Sequence, residues 1–414
     1  MTTKNQAIAE SCGRTRLKRL SQQAKTYELK VQTSALSRAQ KESLMMFFVE
    51  TKRAYNHLLS EVKREGGLFN YDYKKLKNIV YLDKDRNPIE YKIQYIGSSI
   101  LQDQVRLMKE SVNSLSSAKK NGLKVGALKY KSDCKSIRFI QYGVTHKITG
   151  PHRIKIQGIK RPLKVRGLNQ IPEGADLSTM TLNKCGDDYY IRLTCFIDKV
   201  KEEVKNDNII GIDLGCSTTL TCSDGSKYNI KVGETDRLKG LQAKLAGQSK
   251  RSNNWYKTRN RIQKEYRKID NQKRDSTNKV VHYLLSNNGT IVMQDDQISG
   301  WKETDSKFNR RAVQHSALGS IKTKLKSHPR VIVLDKWLPT TKRCHVCRQD
   351  VDIKLSDRTF KCPHCGAIED RDVHSAINMI VLYKEQKSPG TDDSKGTKLP
   401  EKKPAAEQSY KQEA

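Results

Sequence analysis

Two Cys-x-x-Cys pairs, Cys344-His345-Val346-Cys347 and Cys362-Pro363-His364-Cys365, stand fourteen residues apart in this chain. Each pair makes a tight knuckle that points both sulfurs one way, and two knuckles at this separation bring four thiolates onto one tetrahedral zinc. Gly366 supplies permissive backbone directly after the second pair, and Pro363 stiffens it. A closed four-cysteine site does no chemistry of its own. The ribbon instead holds in place the acidic segment Asp370-Arg371-Asp372, which runs into a helix from Val373 to Tyr383. With four cysteines filling the coordination sphere, His345 and His364 are expected at the surface, and His374 and Asn378 are expected to be structural.

The chain has 414 residues and a net charge of +34, from 79 Lys and Arg against 45 Asp and Glu. Such self-repulsion is most directly relieved by a polyanion, which points to nucleic acid. The other six cysteines, Cys12, Cys134, Cys185, Cys195, Cys216 and Cys222, have no regular spacing and read as reduced thiols of an intracellular protein. No stretch approaches the roughly 18 apolar residues of a membrane span, and the N-terminus lacks a signal-peptide core, so no membrane partner is expected. The expected location is the cytoplasm, at the nucleoid of a prokaryote.

The texture of the sequence changes along its length. Residues 1–25 are polar and basic and read as a disordered leader. Tyr27 to Gln32 alternates like a half-buried strand, and Ser37 with Gln40 forms a capping box that opens a long amphipathic helix. A second helix runs from about Ile100 to Lys119; residues 66–98 between them carry a weaker helical signal and a turn at Asp83 to Pro88. From Lys124 to about Val200, short alternating runs broken by Gly and Pro predict an antiparallel sheet or barrel. The domain reading is therefore a β-barrel of 26–36 and 121–206 with a helical module, 37–120, inserted into it. Basic residues interleaved with Tyr130, Phe139 and Tyr142 suit RNA backbone contact and base stacking, although core packing is the stronger expectation for Phe139.

In the second half, Ile209-Ile210-Gly211-Ile212-Asp213-Leu214-Gly215 is an apolar strand carrying one acid, with Gly215 letting backbone and ligand approach closely. A long basic helical pair comes next, over 235–285. Two further apolar strands end in acids, Thr290 to Met293 before Gln294-Asp295-Asp296, and Val331 to Leu334 before Asp335. Acids on separate elements, spread through about 160 residues, are what a two-metal phosphodiesterase needs, because hard divalent cations take carboxylate oxygens. A nuclease segment of 207–340 and 368–383, split by a ribbon at 341–367 and followed by a disordered tail at 384–414, completes the division.

These motifs resemble the TnpB family of transposon-encoded RNA-guided nucleases, relatives of the compact type V CRISPR effectors. The likeness covers roughly residues 26–383. It rests on Gly211-Ile212-Asp213-Leu214-Gly215, on the ribbon run Arg358-Thr359-Phe360-Lys361-Cys362-Pro363-x-Cys365-Gly366, on Asp370-Arg371-Asp372 through Ala376 and Asn378, and on Arg53-Ala54-Tyr55-Asn56. The resemblance implies an α/β, RNase H-like (RuvC-like) nuclease domain split by a four-cysteine zinc ribbon, beside an all-β N-terminal barrel carrying helices. It implies a guide RNA and target double-stranded DNA as partners, with nucleic-acid contacts at Arg53, Tyr55, Asn56, Lys129 and Tyr130. The implied cofactors are one structural zinc on Cys344, Cys347, Cys362 and Cys365, and two catalytic Mg ions on Asp213, Asp295 and Asp372. The sequence leaves open the guide, the short DNA motif and the oligomeric state.

One position departs from the pattern. The family places a Glu directly after the second strand, and here Gln294 stands in that slot. Gln supplies no charge to a metal. Either Asp295 takes the role after a small shift, with Asp296 the other candidate, or the site is impaired and the protein binds guided targets without cutting them. A DNA-strand transposase is a third class, for which no separate nucleophile or acidic site is visible.

Overall fold

The computed structural model describes residues 4–64, 71–83, 85, 87–199, 204–303, 307–354 and 357–387, which fall into two compact units. The first holds residues up to Lys201 together with Thr235–Lys268, and the second holds Glu202–Glu234 and the chain from Ile269 on. The stretch read as one nuclease segment, 207–340, is thus shared between the two.

The first unit opens with a helix, α1 (Lys4–Leu20), where a disordered leader was expected. Its end is tied down by Lys18 and Arg19, both paired with Asp176, and by the Arg19 guanidinium 3.7 Å over the Phe196 ring. Those partners lie far away in sequence, so the leader's own composition could not announce the helix. Next come β1 (Gln22–Val31) and α2 (Arg38–Arg64). The capping box before α2 closes in both directions, with Gln40 N–H donating to Ser37 Oγ at 3.2 Å and Ser37 N–H to Gln40 Oε1 at 3.0 Å. The 66–98 stretch, expected to be weakly helical, instead carries a hairpin of β2 (Asn78–Leu82) and β3 (Pro88–Lys92). Ile79, Val80, Tyr81, Ile89 and Tyr91 are β-branched or aromatic, which favours strands.

After α3 (Ser98–Lys120) come β4 (Ser136–Phe139), β5 (His146–Gly150), β6 (Arg153–Ile156), β7 (Leu163–Arg166), β8 (Asp176–Cys185) and β9 (Asp188–Asp198). With β1 they form a seven-stranded sheet in the order β4-β8-β9-β1-β7-β6-β5, so the helices between β1 and β4 are an insertion into it. Strand pairing among the described residues leaves β4 and β5 as edges and does not close a barrel. The sheet shares one core with the inserted helices, including Leu29, Val31, Phe47, Leu58, Met108, Ile137, Phe139, Leu182 and Leu193. The insertion is also locked by charge. Glu50, fully buried on α2, accepts hydrogen bonds from Tyr91 Oη and from the backbone N–H groups of Gln94, Tyr95 and Ile96 at 2.8–3.0 Å.

The second unit is built on β10 (Ile209–Asp213), β11 (Leu220–Cys222) and β12 (Lys227–Tyr228). The chain then runs through α4 (Asp236–Ala246), which belongs to the first unit, and α5 (Asn253–Asn287), which is divided between the two, before β13 (Thr290–Gln294), α6 (Lys307–His315), α7 (Leu318–Lys326) and β14 (Val331–Leu334). The sheet order is β12-β11-β10-β13-β14, with β10, β13 and β14 parallel and the β10-β11-β12 side antiparallel. Parallel strands covered by helices read as continuous apolar runs, which is why Ile209 to Ile212 and Thr290 to Met293 look alike in sequence. The ribbon hairpin β15 (Thr359–Lys361) and β16 (Ile368–Asp370) leads into α8 (Arg371–Lys387). The tail expected at 384–414 is helical up to Lys387 and otherwise lies outside the described residues. No helix among the described residues is long and apolar enough to cross a membrane.

Candidate active site

The ribbon brings its four sulfurs together. Their ligand atoms all lie within 4.8 Å of one another, with Cys344 Sγ 3.7 Å from Cys365 Sγ and Cys347 Sγ 3.5 Å from Cys362 Sγ. Ligands around a tetrahedral zinc with bonds of about 2.3 Å are separated by about 3.8 Å, so the cage fits a structural zinc. Each knuckle turns at the residue after its second cysteine, where φ is +62° at Arg348 and +75° at Gly366. Gly366 takes that conformation freely; Arg348 takes it at a cost of about 1–2 kcal/mol.

The ribbon is tied to α8 by a chain of polar contacts. Glu369 Oε1 lies 2.7 Å from His345 Nε2 and 2.6 Å from His374 Nδ1, while His374 Nε2 donates to the Arg343 carbonyl at 2.9 Å. The His374 ring is fully buried and stacks on Phe360, with centroids 3.5 Å apart. Asn378 donates to the carbonyls of Thr340 and Arg343. His345, Glu369 and His374 are spaced as hydrogen-bond partners, well inside the roughly 3.3 Å that separates N and O ligands around a tetrahedral zinc. His364 is exposed, whereas His345, expected at the surface, is half-buried against Glu369.

These contacts fix the start of α8. Asp370 caps it, its Oδ1 accepting from the N–H groups of Asp372 and Val373 at 3.0 and 3.2 Å, and its other oxygen pairs with Lys227 at 2.7 Å. Asp370 is thereby occupied, while Asp372, paired with Arg371 at 3.3 Å, is the acid that acts on Asp213. The helix lies directly against β10. A Cβ placed on Gly211 would come 1.8 Å from the Ala376 carbonyl oxygen, so only glycine permits this approach. Close approach was expected at Gly215; the tighter contact is at Gly211.

The approach sets Asp372 and Ser375 beside Asp213, and Ser375 Oγ donates to Asp213 Oδ1 at 3.3 Å. Burial, then the Asp372 carboxylate, then that of Asp296 raise the Asp213 pKa well above the ordinary range. Like charges held in a poorly solvated place disfavour ionisation, and carboxylate oxygens are the donor type that hard divalent cations take.

At the end of β13 the three candidates part company. Gln294 is 7% exposed, and its amide is fully used: Nε2 donates to the carbonyls of Asp335 and Leu338 at 3.1 and 2.9 Å, and Oε1 accepts from Thr340 Oγ1 at 3.0 Å. It clamps the turn after β14 to β13. Asp295 turns to α7, pairing with Lys322 at 2.6 Å and Lys326 at 3.0 Å, which holds its pKa below the usual carboxylate value. Asp296 is half-buried, and burial pushes its carboxyl up to about 6. Of the two acids, only Asp296 contributes to the Asp213 shift.

In the first unit, the Arg53-to-Asn56 stretch is engaged within the protein. Arg53 lies between the Tyr81 and Tyr91 rings at 4.2 and 4.3 Å. Asn56 makes a two-way clamp on the Lys131 backbone at 2.8 and 3.0 Å, and Lys131 Nζ sits 3.6 Å over the Tyr55 ring. Lys129 and Tyr130 are exposed, with Lys63 Nζ 4.2 Å over the Tyr130 ring.

A mixed sheet joined through a four-cysteine ribbon to an acid-bearing helix agrees with what the resemblance to the TnpB family implies. The model of the OrfB_IS605 family, described as "Probable transposase", matches residues 192–305, and that of the "Cas12f1-like, TNB domain" matches residues 319–379. A "Putative RNA-guided DNA endonuclease" of Streptomyces pristinaespiralis is 26% identical over 262 residues, 61% of this chain and 64% of that protein. The "Putative RNA-guided DNA endonuclease InsQ" of Escherichia coli strain K12 is 28% identical over 194 residues, covering 42% and 48%. The chain thus spans 64% or less of the length of these relatives. A solved Cas12f1-sgRNA-target DNA complex matches in fold at a TM-score of 0.50 and 15% identity, over 83% of each chain. The resemblance to the TnpB family therefore holds in sequence over residues 192–305 and 319–379, and the fold is similar to that of the Cas12f1 chain over most of its length.

Proposed function

We propose that this protein is an RNA-guided DNA endonuclease that cleaves target DNA by two-metal phosphodiester hydrolysis, with Asp213, Asp296 and Asp372 as its metal-binding carboxylates. The observation that carries the reading is the packing of α8 on β10 at Gly211, which sets Asp372 and Ser375 beside Asp213, with Ser375 Oγ donating to Asp213 Oδ1 at 3.3 Å; the upward shift of the Asp213 carboxyl, caused by burial and then by Asp372 and Asp296, agrees with it. The strand order, three antiparallel strands followed by two parallel ones added beside the first, supports a split RNase H-like domain interrupted by the ribbon. When bound, two Mg ions would supply an activated water and stabilise the leaving oxygen. The chain's own residues hold the geometry: Ser375 orients Asp213, the Asp370 cap and the ribbon contacts fix Asp372, and Lys322 Nζ donates to the Asp296 carbonyl.

The seven-stranded sheet with its inserted helices would hold the guide, with Lys129 and Tyr130 as exposed contacts, and Arg53, Tyr55 and Asn56 shaping the surface from beneath. The charge of +34 favours a long polyanion in that role, and the double-stranded target would be read chiefly by base pairing with the guide. The setting is the prokaryotic cytoplasm. Gln294 faces backbone carbonyls and Thr340, so its lack of charge gives no reason to regard the site as impaired.

The test is cleavage of a matched, motif-bearing target by the complex with its co-purifying RNA. Asp213→Asn, Asp296→Asn and Asp372→Asn should each abolish Mg-dependent cutting while sparing target binding, and Asp295→Asn should cut at a reduced but measurable rate. Loss of cutting in Asp295→Asn, with Asp296→Asn active, would reverse the assignment.

A further inference from the structure

The turn that Gln294 clamps carries an unusual surface residue. Trp337 is 81% exposed, more than any other large hydrophobic side chain among the described residues. The backbone beneath it is fixed: Trp337 N–H donates to Asp335 Oδ1 at 2.8 Å, and the carbonyls on either side, of Asp335 and Leu338, receive the Gln294 amide. An indole this exposed on a rigid turn loses hydrophobic free energy unless something covers it. The ring is accompanied by a cation. Lys336 Nζ lies 4.6 Å from its centroid, and Lys342 farther along is exposed.

The location narrows the occupant. Leu334 is the register partner of Gln294, so Trp337 and Asp296 leave the same end of two paired parallel strands, and Asp295 N–H still donates to the Leu334 carbonyl at 3.0 Å. Chain geometry keeps the Trp337 and Asp296 Cα atoms within about 22 Å of each other, a few nucleotides along an extended strand. Proteins that bind single-stranded nucleic acid combine exposed aromatic rings, which stack on bases, with basic side chains that meet phosphates. A duplex keeps its bases stacked inside and cannot use the ring without being opened.

We propose that Trp337 is a stacking platform for an unpaired base of the DNA strand leading to the carboxylate cluster. The proposal rests on the nuclease reading for the identity of the strand, but the stacking itself can be measured without cleavage.

The chain has three tryptophans, Trp255, Trp301 and Trp337, so Trp255→Phe with Trp301→Phe leaves Trp337 as the sole indole reporter. The complex with its co-purifying RNA is titrated with a twelve-nucleotide oligo(dT), and separately with a twelve-base-pair duplex, in buffer free of divalent ions. The single strand should quench Trp337 emission and the duplex should not. In the otherwise unmodified chain, Trp337→Ala should weaken oligo(dT) binding by about five- to a hundredfold, with Trp337→Phe restoring most of it. Trp337→Ala should also slow target cleavage without weakening guide-dependent target binding. Quenching without any cleavage by the unmodified complex would support the platform and sink the nuclease reading. Cleavage with no quenching would overturn the platform and leave the nuclease reading standing. A rise in emission on RNase treatment alone would show the ring already covered by RNA and overturn the DNA assignment.

Discussion

Replacing Gln294 by Glu restores the residue type that the resemblance places at this position, and the structure predicts that it will do harm. The amide donates two hydrogen bonds to the carbonyls of Asp335 and Leu338 and accepts one from Thr340, in a site 7% exposed. A carboxylate there faces two carbonyl oxygens with no proton to offer; a protonated carboxyl satisfies at most one of them. Leaving a buried acceptor unpaired costs about 1–3 kcal/mol, and a charge more, so Gln294→Glu should destabilise the protein by about 2–5 kcal/mol. For a unit of this size that corresponds to a fall of about 5–15 °C in the melting transition. Thr340→Val removes only the hydroxyl donor and should cost about 1 kcal/mol. The assay is thermal unfolding of both variants in Mg-free and Mg-containing buffer, paired with cleavage of a guided target. Mg should add no more stability to Gln294→Glu than to the unmodified chain, and cutting should not increase. A variant that melts normally, gains extra stability from Mg and cuts faster would show that position 294 faces the carboxylates, and would refute the clamp.

Gly211→Ala should destabilise the second unit and abolish cutting, because its Cβ would meet the Ala376 carbonyl at 1.8 Å and push α8 off β10; near-normal melting and activity would count against that packing. Glu50→Gln should cost about 2–4 kcal/mol in urea unfolding, since one amide oxygen cannot serve three backbone N–H donors, and a cost under about 0.5 kcal/mol would contradict the buried clamp. Elemental analysis of chelator-free protein should give one zinc per chain, and Cys362→Ser should lose both the metal and cutting, because metal binding is folding energy for so small a ribbon. Asp296 has its carboxyl raised to about 6, so it holds a proton in the folded state where the unfolded carboxyl is ionised. Without metal, its contribution to stability is fully present below the ordinary carboxylate range near 4 and is lost as pH rises through about 6. Mg requires the ionised form, so its stabilising effect should be larger at pH 8 than at pH 5, and this difference should shrink in Asp296→Asn; equal Mg shifts at both pH values would argue against metal on Asp296.

What the sequence determined by itself is whatever is written in short-range patterns. The two Cys-x-x-Cys knuckles are local turns, and their spacing alone sets four sulfurs within reach of one ion. The Ser37 and Gln40 capping box, the apolar run ending at Asp213 and the Asp370-Arg371-Asp372 step into a helix are equally local, because each depends on backbone geometry a few residues long. Tertiary structure decided the rest. Asp295 and Asp296 are adjacent, come after a strand buried from Ile291 on, and share one chemistry; only the lysines of α7 on one side and Asp213 on the other separate an ion-paired acid from a desolvated one. Gln294 looks like a lost ligand until the turn after β14, some forty residues on, supplies its three partners. Gly211 is one glycine in an apolar strand until Ala376, far along the chain, comes to rest against it. A side chain's identity fixes which bonds it can make, but which partners arrive to make them is set by the packing of segments distant in sequence.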